Sequence, residues 1–433
     1  MRRRIFILAT ALLLAACSGS QKEAPELLRT VPSRSIEVMH FRHAGKALGM
    51  LLDSANVFRQ LDLGRLEGSE MVLSYDYSSR LVPLLSLDAG RYRTDSSETV
   101  KSILRQAEGL KLQAAYVVDT ARRTTALLLT PSTAALSEAL LHIEAGSSIL
   151  DADGFPEALS RVKGGEGSII LRNAAAGYII PRGFLGQLPH RALSRFCKRA
   201  CQWTVLSFDS CRTSSIGVDF YLPDDDSRYL SIFEGLKGGE SCLGQILPTG
   251  AELAIDLPLG DWEAFYKARR RWLDAGSMLQ HHEAACKDAE QKAGMRLLDW
   301  CRRARPREVA VFGWEGHRLV ALRCRRVPAL PAPAPASSVT PGPDSSVTPG
   351  SDRVSPCTAF IPLLFGGIYA EPEGAVHKVK GRWLLVGSEE DIAAFSETEP
   401  SGLKPEKHVK YSISAPGLQL VCTDRGAQLS YGK

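Results

Sequence analysis

The stretch EVAVFGWEGHRLVALRCRR, residues 308–326, decides the fold class of this chain. Two runs dominated by apolar residues flank the dipeptide Glu315-Gly316, and a glycine-containing two-residue link between such runs favours a β-hairpin. A second hairpin is predicted for AVHKVKGRWLLVGS, residues 375–388, with its turn at Lys380-Gly381. Because a hairpin places its two strands antiparallel, these segments indicate a mainly antiparallel sheet.

The order of elements around these hairpins occurs twice in the chain. In the second half, a strand AELAIDL (251–257) and a helix WEAFYKARRRWLDAG (262–276) precede the two hairpins, and a helix follows them. In the first half, the strand SIEVMHF (35–41) and an amphipathic helix precede two hairpins within residues 70–130, and again a helix follows. We therefore predict an α+β fold in which repeated strand-helix-hairpin units form mainly antiparallel sheets, with helices packed on one face.

Helix-capping residues support the boundaries of the two closing helices. Ser132 is placed as an N-cap, and Gly146 as the residue that ends the same helix. Ser388 and Asp391 resemble a capping box with aspartate in place of the usual glutamate.

These units define the predicted domain organisation. The chain is expected to begin with a signal peptide (1–16) and a lipidated tether (17–32). Three α+β units follow: a first unit (33–155), a shorter middle unit (156–245) and a second long unit (246–433). The last unit contains a Pro-, Ser- and Thr-rich insertion at 327–356 that includes the tandem SSVTPGPD and SSVTPGSD. Such a composition predicts a disordered excursion from the domain.

The amino terminus, MRRRIFILATALLLAACSGS, is typical of an export signal. A cationic start is followed by the 12 residues 5–16, which are apolar apart from Thr10. As a helix they would span about 18 Å, well short of the roughly 30 Å hydrocarbon core of a membrane. The four residues Leu14-Ala15-Ala16-Cys17 resemble the lipobox of bacterial lipoproteins.

This resemblance implies a lipid modification at Cys17. In that family the cysteine thiol receives a diacylglycerol, the chain is cleaved just before the cysteine, and the new amino terminus is usually acylated. Two or more acyl chains anchor a protein firmly to a membrane. Ser18 is not the aspartate that retains lipoproteins at the inner membrane, so the outer membrane is favoured. The alternative is an ordinary secretory signal with an incidental cysteine.

The charge balance argues against a nucleic-acid partner. Removing residues 1–16 takes away three of the 53 basic residues and no acidic ones, which leaves 50 basic against 48 acidic residues. The formal net charge therefore falls from +5 to +2. Nucleic-acid-binding surfaces need a basic excess that the mature chain as a whole does not have.

The cysteines are better explained by thiols or disulfides than by metal binding. Cys324 and Cys357 bracket the insertion and form a candidate disulfide at its neck. Two further groups could suggest a metal, His190 with Cys197, Cys201 and Cys211, and His282 with Cys286. Neither matches a common zinc spacing, so no metal and no cofactor is predicted.

Motifs for catalysis are weak. Ser160 and Lys163 fit an S-x-x-K spacing, but the companion motifs of penicillin-interacting enzymes are missing, and a solvated helix end explains the pair. The run Asp224–Asp226 lacks the spaced ligands of a calcium loop and is interpreted as a helix cap. Two arginine clusters could contact anionic lipid or polysaccharide, or form solvated helix faces: Arg269, Arg270 and Arg271, and Arg302, Arg303, Arg305 and Arg307.

Segments of the last unit resemble a family of uncharacterised bacterial envelope proteins. The resemblance rests on AGMRLLDW, ending at Trp300, on REVAVFGWE from Arg307 and on KGRWLLVGSEED further on. It implies a duplicated α+β fold and brings no assigned activity.

Together these features predict a membrane-anchored envelope lipoprotein with a non-catalytic binding or scaffolding role. Its expected partners are the membrane, through lipid on Cys17, and an envelope protein or glycan. The alternative is an unrecognised periplasmic or cell-surface hydrolase that acts on envelope or glycan material, with residues brought together only in three dimensions.

Overall fold

The computed structural model describes residues 24–52, 56–77, 81–90, 98–119, 124–175, 198–210, 215–224, 226–327, 356–372 and 374–431. The signal peptide, Cys17 and most of the predicted insertion lie outside these ranges. Among the described residues, no helix combines the length and the apolar composition needed to cross a membrane.

The chain divides into two compact units. The first comprises Met1–Arg172, Trp203–Thr213 and Asp219–Tyr221, and the second comprises the remaining residues. Residues of the predicted middle unit, 156–245, are thus found in both compact units. The limits of that unit remain a prediction from the repeated order of elements in the sequence.

The first unit is built on one antiparallel sheet. Its strands are β1 (Glu37–Phe41), β2 (Met71–Tyr77), β3 (Leu81–Asp88), β4 (Gln113–Asp119), β5 (Thr124–Thr130), β6 (Gly167–Arg172) and β7 (Trp203–Phe208). The helices are α1 (Ala44–Leu51), α2 (Glu98–Gly109), α3 (Thr133–Ala145) and α4 (Phe155–Ser160). The pairings give the order β4-β5-β3-β2-β1-β6-β7, with β1 between β2 and β6. Ser132 accepts a hydrogen bond from the backbone N–H of Ala135, and Gly146 ends α3 with a φ of 71°, as predicted.

The core of the first unit centres on Trp203, which is 1% exposed. Its indole Nε1 donates to the carbonyl oxygen of Asp153 at 2.9 Å, and its ring meets the ring of Phe155 edge-on at 5.3 Å. The guanidinium of Arg172 lies over the other side at 4.8 Å from the ring centre. These contacts attach α4 to the sheet.

The amino-terminal part of the described chain also belongs to this core. Residues Glu26–Thr30 form a 3-10 helix, and Leu27, Leu28 and Val31 are buried in the cluster that contains Trp203. The segment predicted as a tether, 17–32, therefore contains packed residues from Leu27 onward. Three apolar side chains in six residues are enough to hold this segment against the sheet.

The second unit repeats the arrangement on a larger scale. Its strands are β8 (Ser215–Tyr221, of which Ser215–Val218 lie in this unit), β9 (Gly239–Ser241), β10 (Leu253–Pro258), β11 (Pro306–Trp314), β12 (His317–Cys324), β13 (Val376–Lys380), β14 (Trp383–Gly387), β15 (Glu406–Ala415), β16 (Leu418–Thr423) and β17 (Gly426–Tyr431). The helices are α5 (Trp262–Ala275), α6 (Leu279–Ala293), α7 (Leu297–Ala304), α8 (Phe360–Phe365) and α9 (Glu389–Ser396). A 3-10 helix at Tyr229–Phe233 follows the acidic run that was interpreted as a helix cap.

Strand pairing follows the same plan in both units. In the second, the order is β13-β14-β12-β11-β10-β15-β16-β17, so β10 lies between β11 and β15 as β1 lies between β2 and β6. Every pairing is antiparallel. The α+β class and the repetition of strand-helix-hairpin units are thereby confirmed, and β6 and β7 take the places that β15 and β16 hold in the second unit.

Candidate functional site

Three helices between β10 and β11 carry the most distinctive surface feature of the second unit. Helix α5 begins at Asp261, whose carboxylate accepts hydrogen bonds from the backbone N–H groups of Glu263 and Ala264. Helices α6 and α7 follow after short links at Gly276–Met278 and Gly294–Arg296. Phe265, Ala268 and Leu273 bury the inner side of α5, which leaves its other side facing outward.

The outward side of α5, together with the beginnings of α6 and α7, forms a groove of about 490 Å³. We call it the basic groove. It is lined by Trp262, Glu263, Tyr266, Lys267, Arg270, Arg271, Asp274, Leu279, Leu298 and Arg302. The lining thus combines four cations with two acids and four apolar or aromatic side chains.

The four cations of the basic groove fall into two pairs. Arg270 is held by Glu283, and Arg302 donates to Asp299 at 3.0 Å. Lys267 and Arg271 are exposed and take part in no ion pair among the residues that the structure describes. These two side chains are therefore available to an anionic group from outside the unit.

The surrounding helices carry an excess of positive charge. Residues 262–304 contain nine lysines and arginines and six acids, a formal charge of +3. This local excess is larger than the +2 of the whole mature chain. An uneven distribution of this kind concentrates positive potential on one surface.

Arg269 does not belong to the groove, although it is adjacent to Arg270 in sequence. Its side chain is buried, with 6% exposed, and its guanidinium donates to the carbonyl oxygen of Leu363. Burial lowers the pKa of Arg269, and the groups that oppose this shift are Tyr229, Tyr266 and Cys286 rather than carboxylates. A buried positive charge behind Tyr266 adds to the potential of the basic groove.

The structure therefore separates the arginines that the sequence grouped together. Arg270 and Arg271 line the same groove as Arg302, although Arg302 follows them by about 30 residues in the chain. Arg303, Arg305 and Arg307 are exposed but do not line it. The sequence did not indicate the contributions of Lys267, Leu279 and Leu298 to this groove.

A second cluster of charged residues lies inside the sheet of the same unit. Asp256 on β10 and Glu308 on β11 are both 0% exposed and share the sheet face that carries Arg323 of β12. The Glu308 carboxylate accepts from Arg323 Nε at 2.6 Å and from the backbone N–H of Cys242 at 2.8 Å. Asp256 accepts from Ser241 Oγ at 2.6 Å.

The two buried acids have different surroundings. Burial raises the pKa of Asp256 well above its usual range, and the charge of Glu308 adds to the shift. Burial also raises the pKa of Glu308, but Arg323 and the Cys242 N–H oppose that effect. The pKa of Asp256 is therefore raised more strongly than that of Glu308, because only Glu308 has the guanidinium of Arg323 directly against its carboxylate.

Replacing Asp256 with asparagine is expected to flatten the dependence of stability on pH. The folded protein keeps a proton on Asp256 that the unfolded chain releases above about pH 4. The contribution of this proton to the free energy of unfolding is complete below about pH 4. As the pH rises toward the raised pKa of the folded state, that contribution is lost at up to about 1.4 kcal/mol per pH unit. Denaturant unfolding from about pH 4 to pH 8 measures the slope. The exposed Asp274→Asn variant is the control, and equal slopes for Asp256→Asn and the native chain would contradict the assignment.

The S-x-x-K residues serve other contacts. Ser160 Oγ donates to the carbonyl oxygen of Glu157 at 2.7 Å, and Lys163 Nζ pairs with Asp219 at 2.7 Å. Both are exposed. This agrees with the solvated helix end considered for the sequence. In the acidic run near residue 225, Asp225 lies outside the described residues, and no side chain caps the 3-10 helix that follows.

His282 and Cys286 do come together on α6, with Nε2 and Sγ 3.4 Å apart. Burial lowers the pKa of His282 to about 4 and raises that of the Cys286 thiol, so both are neutral near pH 7. No group of three or more metal-ligating side chains occurs in the described part of the chain. Residues His190, Cys197 and Cys211 lie outside that part.

Cys324 and Cys357, the candidate disulfide, are both buried, with 1% and 0% of their surfaces exposed. Their pairing remains a prediction. Burial raises the pKa of the Cys324 thiol to about 12. The predicted lipidation site, Cys17, is outside the described residues.

Comparison of the whole chain with protein-family models, with curated proteins and with solved structures finds no match in any of the three.

Proposed function

We propose that this chain is a lipid-anchored envelope protein with a non-catalytic binding role, and that the basic groove binds an anionic group of its ligand. The observation that carries the proposal is the pair Lys267 and Arg271, two exposed cations without ionic partners in the described structure, beside the aromatic ring of Trp262. Charge-assisted hydrogen bonds to a phosphate or carboxylate are the interactions that such side chains form best.

The lining of the groove supports binding rather than catalysis. It contains no serine, cysteine or histidine, and its two acids, Glu263 and Asp274, lie among four cations. The acids with the clearest perturbation in this unit, Asp256 and Glu308, are fully buried and do not line the groove. A hydrolase would need its perturbed acids at an accessible surface.

The envelope location rests on the amino-terminal sequence. An anchor on Cys17 would hold the protein at a membrane surface, with the outer membrane favoured, where its partner is an envelope protein or glycan. Incorporation of a labelled fatty acid by the native chain, and its loss in a Cys17→Ser variant, tests this part of the proposal.

The groove is tested with inorganic polyphosphate as a simple anionic probe and the mature chain as the protein. A variant with Lys267→Glu and Arg271→Glu is expected to bind the polyphosphate at least about tenfold more weakly, because two charge-assisted contacts become repulsive. Binding by the native chain is expected to weaken as salt is added.

A matched control carries the same change of charge outside the groove. Lys287→Glu with Arg303→Glu alters exposed cations on α6 and α7 that do not line the groove. This control is expected to bind nearly as well as the native chain. If both double variants lose affinity equally, the interaction depends on overall charge and the groove is not the site.

A further inference from the structure

The basic groove has an apolar side that an anion alone would leave in water. Leu298 of α7 is 38% exposed, although it is a leucine, and Leu279 of α6 and Trp262 of α5 are partly exposed. Three apolar side chains from three helices thus meet in one groove. Burying them against a hydrocarbon would be favourable in proportion to the area covered.

The charged side of the groove has two cations that can contact a ligand, Lys267 and Arg271. Arg270 and Arg302 are already paired with Glu283 and Asp299, so they border the site without a free charge. Lys267 and Arg271 lie on α5, four residues apart and hence on the same side of the helix. One anionic head group placed between them would contact both.

We infer that the ligand of the basic groove is an anionic amphiphile, a phosphate or carboxylate head joined to a hydrocarbon chain. A purely ionic ligand would leave Trp262, Leu279 and Leu298 exposed, and a neutral lipid would form no charge-assisted contact with Lys267 and Arg271. An amphiphile satisfies both sides of the groove at once. The volume of about 490 Å³ lies in the range of pockets that hold one small ligand. This inference rests on the proposed function and adds the apolar half of the ligand.

Dodecyl phosphate with bromine on its alkyl chain, used below the concentration at which it forms micelles, is the probe for the mature chain. It is expected to bind at least about tenfold more tightly than inorganic phosphate, because the chain covers the apolar side of the groove. Bromine quenches nearby indoles, so tryptophan fluorescence should fall on binding. A Trp262→Phe variant keeps the other five of the six tryptophans and is expected to lose most of this quenching.

Leu298→Gln separates the apolar contact from the charge. Since Leu298 is 38% exposed, the substitution leaves the fold intact. It should weaken the binding of dodecyl phosphate by several-fold, and the binding of polyphosphate by a clearly smaller factor. Dodecyl maltoside, which has the same chain and no charge, should bind far more weakly than the phosphate.

The outcomes separate the two proposals. Equal affinity for dodecyl phosphate and inorganic phosphate, without quenching of tryptophan fluorescence, would overturn the proposal of an amphiphilic ligand. In that case, binding of polyphosphate through Lys267 and Arg271 would still support the groove as an anion site. Equal binding of dodecyl maltoside would overturn the anionic head. If neither polyphosphate nor dodecyl phosphate binds, the proposed function itself fails.

Discussion

Replacing Glu308 with leucine is expected to lower the free energy of unfolding of the second unit by about 3–5 kcal/mol. The substitution removes the carboxylate that Arg323 Nε contacts at 2.6 Å and leaves the guanidinium on the buried sheet face without its counter-charge. It also leaves the backbone N–H of Cys242 without its acceptor. Urea unfolding, followed by hydrogen exchange of β10 to β12, measures the loss.

A second substitution distinguishes a broken ion pair from poor packing. In Glu308→Leu with Arg323→Met both charges are gone, and an apolar pair of similar volume is often tolerated in place of a buried ion pair. The double variant is therefore expected to be more stable than Glu308→Leu alone. If its loss equals the sum of the two single losses, the residues are not coupled and the ionic explanation is wrong.

Replacing Trp203 with alanine should have an effect of the same size in the first unit, about 3–5 kcal/mol. The indole is among the largest fully buried side chains, and it contacts Phe155 of α4 and Arg172 of β6. Its removal leaves a cavity between helix and sheet and also removes the hydrogen bond to the carbonyl oxygen of Asp153. Hydrogen exchange of α4 and β7 during urea unfolding measures this change.

Trp203→Phe provides the matched comparison. Phenylalanine keeps most of the apolar volume but cannot donate to Asp153, so a loss of about 1–3 kcal/mol is expected. A Trp203→Phe loss as large as that of Trp203→Ala would assign the effect to the hydrogen bond instead of the packing.

The hairpins could be predicted from the sequence because their determinants are local. The link between β11 and β12 is Glu315-Gly316, and both residues have positive φ, 47° and 85°, as the predicted two-residue turn requires. Ser388 and Asp391 likewise form the capping box that was expected, with both reciprocal hydrogen bonds present. In each case the residues that decide the geometry are within three positions of one another.

The groove and the buried charges depend on contacts between distant residues. A run of three arginines on a helix turns through about 200°, so one of them can lie at the edge of the buried side, yet nothing local shows that Arg269 is the one buried. Leu298 and Lys267 meet only because α5 and α7 fold together. Asp256 was the available signal for the buried network, since it is an acid in the otherwise apolar strand β10, LAIDLP.

The packing of Leu27, Leu28 and Val31 could not be predicted for a related reason. The composition of residues 18–31 is mixed, and the apolar side chains of Leu27, Leu28 and Val31 were outweighed by their charged neighbours. Their burial depends on partners in the same core cluster that are spread along the chain from Val38 to Val205.

The shared strand order of the two units suggests how the chain has changed since its halves were alike. If both descend from one ancestral half by duplication, the copies now differ in one connection, since helices α5–α7 lie between β10 and β11. In the earlier copy, α1 and two short 3-10 turns occupy the corresponding connection. A graft of residues 259–305 into that connection, between β1 and β2, would then test whether these helices bind the ligand independently of the sheet that carries them.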